Sequence, residues 1–286
     1  MKIVRSIGGA RRAIAQWHTR GESVGLVPTM GALHQGHSSL IRRCRKRAKR
    51  TVVSIFVNPT QFSPEEDYKS YPRTWRRDIA LCREEGAEIV FAPDVGTMYP
   101  DGFETTVRVG SLGDYWEGTS RPGHFDGVAT VVLKLFEIIR PDVAVFGQKD
   151  YQQTIIIRRL IEDFNLPVGL IVAPTVREPG GLALSSRNVY LGAAERVAAG
   201  AISRSLRWAA DRIRKGARSS SELARQIRRI VETGGFFTID YIGFCDPSTL
   251  ASQRRLNPPV VILIAAKCLA KSAACGRRYI DNIVVR

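Results

Sequence analysis

The chain has 286 residues, 44% of them hydrophobic, with a mean hydropathy of −0.11 and a formal net charge of +16. That length supports one large domain or two modest ones, and no run approaches the roughly 18 apolar residues of a membrane span. The N-terminal residues are too interrupted for a signal peptide, which points to the cytoplasm, and five cysteines without C-x-x-C spacing exclude a disulfide framework and a zinc knuckle and read as free thiols.

Short β-rich runs alternate with helical patterns, the signature of a parallel α/β sheet. The first predicted strand, 24–27, leads into V-P-T-M-G-A-L-H-Q-G-H, ending at His37. Gly31 and Gly36 let the backbone approach phosphate, and the first N–H groups and the dipole of the following helix favour an anion there. His34 and His37 lie one turn apart, so both imidazoles can face the same phosphates as donors. Taken alone, H-x-x-H at a helix start also fits a surface pair or half of a metal site. Three of the four histidines, His34, His37 and His124, fall in Gly-rich segments, which favours a nucleoside triphosphate site.

The helix predicted at 38–49 has an apolar stripe of Leu40, Ile41, Cys44 and Ala48 and a crowd of cations from Arg42 to Arg50. A second basic concentration spans 204–229. With no aromatic interleaving, RNA-binding signature or zinc finger, these read as solvated faces rather than a nucleic-acid footprint, with steering of an anionic substrate as a third reading.

Further strands are predicted at 52–57, 88–91, 143–146 and 168–172, and helices at 75–85, 128–139 and 151–163. Ligands of such sheets bind at the carboxyl ends of the strands. V-N-P-T-Q-F, F-G-Q-K-D and T-V-R-E-P-G-G-L-A-L-S-S-R-N all follow strand ends. Past Asn188 come a helix over 193–215, a Ser-rich break, another helix, and strands at 236–244, 260–266 and 279–285. The expected domains are therefore an α/β domain over 1–188 and an α+β domain over 189–286.

P-T-M-G-A-L-H-Q-G-H, S-I-F-V-N-P-T-Q-F, Y-P-R-T, R-P-G-H-F-D-G-V-A-T-V-V-L-K-L-F, F-G-Q-K-D-Y-Q-Q and L-A-L-S-S-R-N occur in order. With them the chain closely resembles the pantothenate synthetases, or pantoate-β-alanine ligases, over nearly its whole length. The resemblance implies a Rossmann-like nucleotidyltransferase domain with a parallel sheet, a smaller C-terminal α+β lid domain, and a homodimer. It implies ATP-dependent condensation of (R)-pantoate with β-alanine to pantothenate, AMP and pyrophosphate, through a pantoyl adenylate and with Mg²⁺.

ATP would be held by Met30, Gly31, Ala32, Leu33, His34, Gln35, Gly36 and His37, by Gly147, Gln148, Lys149 and Asp150, and by Val176, Leu184, Ser185, Ser186 and Arg187. Of these, His34, His37, Lys149, Ser185, Ser186 and Arg187 would be catalytic. Lys149 suits triphosphate oxygens, Gly147 gives backbone access, and Asp150 can meet a ribose hydroxyl or the Mg²⁺ shell. A bare Lys-Asp is otherwise a surface pair, and a bare S-S-R a helix cap. Gln61 and Gln153 offer neutral amides to the hydroxyl and carboxylate of pantoate, with Asn58 and Tyr71 in the same wall. Arg121 and His124 could orient the carboxylate of β-alanine or the departing phosphates. No metal site built by the protein is expected.

Gln148 stands where the family often has Glu, and Gly180 where Asp commonly precedes Gly. The stretch 266–278 is longer than expected, and the basicity is atypical. The alternative reading is another H-x-G-H nucleotidyltransferase acting on a cofactor precursor, which explains the first and last motifs but not N-P-T-Q-F or R-P-G-H-F. A nucleic-acid-binding protein on an adenylate-binding scaffold is a second rival, and a metal hydrolase a third that lacks a carboxylate cluster.

Overall fold

Strand residues in the first part of the chain alternate between two buried faces. Leu26, Val52, Ile89, Ala144 and Phe146 belong to one core cluster, and Val27, Val53, Val90 and Val145 to another. Only a sheet covered on both sides satisfies that pattern, and parallel crossovers supply the cover. A computed structural model gives the structure of residues 1–64 and 66–286. Its six-stranded parallel sheet has the order β1-β4-β3-β2-β5-β6, from strands β1 (Lys2–Val4), β2 (Val24–Thr29), β3 (Arg50–Ile55), β4 (Ile89–Phe91), β5 (Val143–Gly147) and β6 (Gly169–Ala173).

Residues from α1 (Ile7–Thr19), α7 (His124–Ile139) and α8 (Tyr151–Asp163) pack in the first cluster. Those of α2 (Gln35–Arg45) and α3 (Trp75–Glu84) pack in the second. Three single-turn helices lie between β4 and α7: α4 (Val95–Met98), α5 (Ser111–Asp114) and α6 (Glu117–Ser120). Strand order reverses beside β2, which has β3 on one side and β5 on the other, so the switch point lies between the carboxyl ends of β2 and β5.

The expected α/β alternation is present, with differences that have physical reasons. β1 and α1 were not anticipated, because β1 is a three-residue edge strand and α1 opens on Gly8 and Gly9. α2 begins at Gln35, three residues before the expected start, because His34 caps it. α7 begins at His124 rather than 128, directly after Gly123 in the left-handed conformation.

The basic face of α2 is partly anchored rather than only solvated. Arg42 makes a bidentate pair with the buried Glu85 at the end of α3, and Arg45 donates to the Glu85 carbonyl. Arg20, Lys49 and Arg50 converge on Glu22.

The chain divides into two compact units. The first comprises Met1–Asp114, Gly118–Gly147 and Gln153–Pro174, and the second Tyr115–Glu117, Gln148–Gln152 and Thr175–Arg286. In the second, β7 (Phe237–Cys245), β8 (Val260–Cys268) and β9 (Arg278–Val285) form an antiparallel sheet in that order. α9 (Ala193–Arg214) and α10 (Ser220–Glu232) bury Leu206, Ile213, Leu223 and Ile227 with its Phe237, Ile262 and Ile264.

This unit takes in 175–188, placed with the first domain on sequence. Arg177 makes a bidentate ion pair with the buried Asp281 of β9, and Leu182 packs in the same core as α9. It also takes Tyr115–Glu117. The Trp116 indole donates to the Leu250 carbonyl at 3.0 Å, and Glu117 pairs with Arg278 at 2.8 Å.

Candidate active site

β2 ends in the loop Met30–Leu33, whose shape is set by one carboxylate. Asp78, in the first turn of α3 and 1% exposed, accepts from the N–H groups of Ala32 at 3.0 Å and Leu33 at 2.8 Å, and from Thr74 Oγ1 at 2.8 Å. Nothing in the sequence reading singled out Asp78. Beside Arg76 and Arg77 it reads as a dipole-compensating acid at a helix start.

His34 then caps α2. Its Nδ1 accepts from the Gly36 N–H at 3.1 Å, and its own N–H donates to Nδ1 of His37 at 3.3 Å. The ring centroids are 4.2 Å apart. Because each Nδ1 is an acceptor, the hydrogen of each neutral imidazole sits on Nε2. The fold thus prepares two Nε2–H donors at the N-terminus of α2, where the dipole already favours an anion.

β3 leads through Asn58 into a 3-10 turn, Pro59–Gln61. Asn58 is 1% exposed, and its side chain is fully engaged. Nδ2 donates to the Gly127 carbonyl and to Gln61 Oε1, each at 3.1 Å, while Oδ1 accepts from Thr60 Oγ1 at 3.0 Å and Tyr99 Oη at 2.7 Å. Gln61 is buried, and Tyr71 is buried with its ring against Phe62. Gln153 lies in the first turn of α8, half-buried.

Arg121 and His124 meet the same turn from behind. Nδ1 of His124 donates to the Gln61 carbonyl at 2.8 Å, and Nη1 of Arg121 donates to Nε2 of His124 at 3.0 Å. Arg121 also reaches the Gln61 carbonyl at 3.1 Å and forms a fork with both carboxylate oxygens of Glu66. The Glu66 partner was not foreseen, and it places Arg121 in an ion pair that braces the backbone of Gln61. Such a bidentate pair holds more firmly than a single contact.

In the second unit, Lys149 and Asp150 form a pair at 3.4 Å in the 3-10 turn Gln148–Asp150, with the lysine side chain 19% exposed and the aspartate 46%. The turn is fixed by Asn282 of β9, whose Nδ2 donates to the carbonyls of both Gln148 and Lys149 at 2.8 Å. Gln148 returns a bond to Asn282 Oδ1 at 3.3 Å. Asn282 was given no role on sequence.

Arg177 and Ala183 form an antiparallel bridge, and Leu184 N–H donates to the Val176 carbonyl at 3.0 Å, making a hairpin. Ser185 caps the 3-10 turn Ser186–Tyr190 by accepting from the Arg187 N–H at 3.2 Å. That capping role is the ordinary one for such a serine.

A parallel Rossmann-like sheet, whose switch strand β2 opens onto a histidine-capped helix start, defines a nucleotide-binding α/β enzyme. A sequence profile described as Pantoate-beta-alanine ligase matches residues 2–284. The chain is 49% identical over 286 residues to the pantothenate synthetase of Sphingopyxis alaskensis, covering 100% of both chains. It is 48% identical over 285 residues to that of Roseiflexus castenholzii, covering 100% of this chain and 99% of the other.

The crystal structure of pantothenate synthetase from Thermus thermophilus is similar at a TM-score of 0.91, with 42% identity and 99% coverage of both chains. That of pantoate-beta-alanine ligase from Francisella tularensis, complexed with beta-gamma ATP and beta-alanine, is similar at a TM-score of 0.79, with 34% identity, covering 99% of this chain and 97% of the other. The chain belongs to the pantoate-beta-alanine ligase family, enzymes whose known reaction is the ATP-dependent condensation of pantoate with β-alanine.

Proposed function

We propose that the chain condenses (R)-pantoate with β-alanine through a pantoyl adenylate. A carboxylate and an amine do not join at neutral pH without activation. A carboxylate oxygen of pantoate attacks the α-phosphorus of ATP and pyrophosphate leaves. The β-alanine nitrogen then attacks the acyl carbon, AMP departs with that same oxygen, and the nitrogen loses a proton. The observation that carries this reading is that Nδ1 of His34 and Nδ1 of His37 each accept a backbone N–H at the start of α2, which leaves Nε2 as the protonated nitrogen of each ring. Two fixed Nε2–H donors neutralise charge as it develops on the phosphates, without reorganising at the moment of reaction.

Lys149, Ser185, Ser186 and Arg187 serve the triphosphate in this reading, and Gln61, Gln153, Asn58 and Tyr71 serve pantoate. The complex of the Francisella tularensis relative supports ATP and β-alanine as ligands. Mg²⁺ fits as an ion carried on the nucleotide. Asp150, 46% exposed beside Lys149, is the carboxylate that would meet either a ribose hydroxyl or the shell of that ion. When bound, Mg²⁺ neutralises phosphate charge. The proposed assembly is a homodimer, to be weighed by light scattering, and the proposed location is the cytoplasm. Among the described residues no helix is long and apolar enough to cross a membrane.

The test is turnover with pantoate labelled with ¹⁸O in its carboxylate. Recovery of one label in AMP and one in pantothenate is the expected result, and AMP free of label would remove the adenylate route.

A further inference from the structure

The hydrogen bonds around Asn58 determine which end of the neighbouring glutamine amide is available to a ligand. The Gly127 carbonyl, 3.1 Å from the Asn58 amide, can only accept, so the atom facing it must be Nδ2. That settles the orientation of Asn58 by chemistry. Oδ1 then faces Tyr99 Oη at 2.7 Å and Thr60 Oγ1 at 3.0 Å, and both hydroxyls donate to it. The second hydrogen of Nδ2 goes to Gln61 Oε1 at 3.1 Å, which occupies the acceptor end of that amide. Gln61 is left with Nε2, a pure donor, as the end outside the network.

The frame of this relay is rigid. α7 passes so close to the turn that a Cβ at Gly127 would lie 2.2 Å from the Thr60 carbonyl oxygen. The Tyr99 ring is held against Phe103 at a centroid distance of 5.0 Å and Phe56 at 6.1 Å, and Lys134 Nζ lies 5.7 Å from its centroid and 4.5 Å from that of Phe103. Burial pushes the Tyr99 phenol up from its ordinary value, so it remains a proton donor at neutral pH.

We propose that Tyr99 is a positioning residue and a determinant of ligand chemistry. Through Asn58 it holds Gln61 with its NH2 outward, so that the position selects a ligand oxygen that accepts, a carboxylate or an ether-like hydroxyl oxygen, over a group that donates. This rests on the reading of Gln61 as a contact to pantoate. Without the Tyr99 hydroxyl, Asn58 Oδ1 keeps only Thr60, and the amide pair, still oriented by the Gly127 carbonyl, loses the shortest of the contacts that hold it in place.

The experiment is steady-state kinetics on the full chain carrying Tyr99→Phe or Gln61→Ala, with urea unfolding of each variant. Tyr99→Phe keeps the ring packing and removes one hydroxyl. The expected result is a rise of about tenfold in KM for pantoate, with KM for ATP and for β-alanine within twofold and a urea transition that stays cooperative, its midpoint lowered only by the loss of one hydrogen bond. If Gln61→Ala leaves KM for pantoate unchanged, Gln61 does not contact pantoate and the underlying reading falls. If Gln61→Ala raises it while Tyr99→Phe does not, that reading stands and the role of Tyr99 is overturned. A Tyr99→Phe variant whose KM values all rise together, or whose urea transition loses its cooperativity, would make Tyr99 a merely structural residue and overturn the proposal as well.

Discussion

His37 does two things with one ring. Nδ1 receives the His34 N–H, and in the proposed reaction Nε2–H is the donor offered to phosphate. We expect His37→Ala to lower kcat/KM about 100-fold, since one well-aimed donor to a developing charge is typically worth about 3 kcal/mol. Circular dichroism should show the fold retained, and wild-type turnover would remove His37 from the catalytic set.

The thiols allow a second check at this scale. Cys44, Cys82, Cys245 and Cys268 are buried, and Cys275 is exposed. Burial pushes the Cys44 thiol up to about 11 and those of Cys82 and Cys245 up to about 12. One fast-reacting thiol per native chain is expected with a disulfide reagent at pH 8, and none in Cys275→Ser. The meeting of His34 and His37 at a helix start was legible from sequence because a short motif compresses that geometry into four residues. Asp78 and Glu66 were not, because their partners, the Ala32 and Leu33 amides and Arg121, lie 45 or more positions away.

Among the elements, the hairpin Val176–Leu184 makes the sharpest demand on sequence. Gly181 sits at φ +90°, and a Cβ there would lie 2.6 Å from Ser203 Oγ on α9, whereas nothing lies within 4 Å of a Cβ on Gly180. Gly181→Ala should therefore cost about 2 kcal/mol in urea unfolding. Gly180→Asp, which restores the residue common in the family, should stay within about 0.5 kcal/mol.

The departure at Gly180 thus leaves the hairpin backbone unstrained. Strands β2 to β6 were readable because both faces of each are apolar, and α9 because 22 residues carry one continuous helical pattern. The unforeseen elements are short or Gly-containing, where local pattern gives no signal and tertiary packing decides.

At the scale of the molecule, 43 lysines and arginines face 27 aspartates and glutamates, several of which are held by more than one cation. The Arg50 guanidinium, helped by Arg20, holds the Glu22 carboxyl at about 2 rather than 4.5. The Ser248 hydroxyl and nearby backbone N–H groups hold Asp246 at about 2. A group whose folded pKa is depressed contributes stability above its unfolded pKa and loses it as pH falls toward the folded one. The melting temperature should therefore fall as pH drops from about 5 to 2, and Glu22→Gln should flatten that slope. An equally steep slope in Glu22→Gln would remove Glu22 as a source.

The second unit is stitched from three separated stretches of chain, and this bears on heredity. A recombination breakpoint at Thr175 would deliver a sheet without the Trp116 indole that donates to Leu250, without the Glu117 carboxylate that pairs with Arg278, and without the turn that Asn282 holds. The fragment 175–286 made alone is expected to show no cooperative unfolding transition. A cooperative melt of that fragment would mean the missing stretches are dispensable. Without such autonomy the two units cannot be shuffled as cassettes. A change in Tyr115–Glu117 or Gln148–Gln152 is thus screened against a sheet whose strands lie more than 80 positions further along the chain.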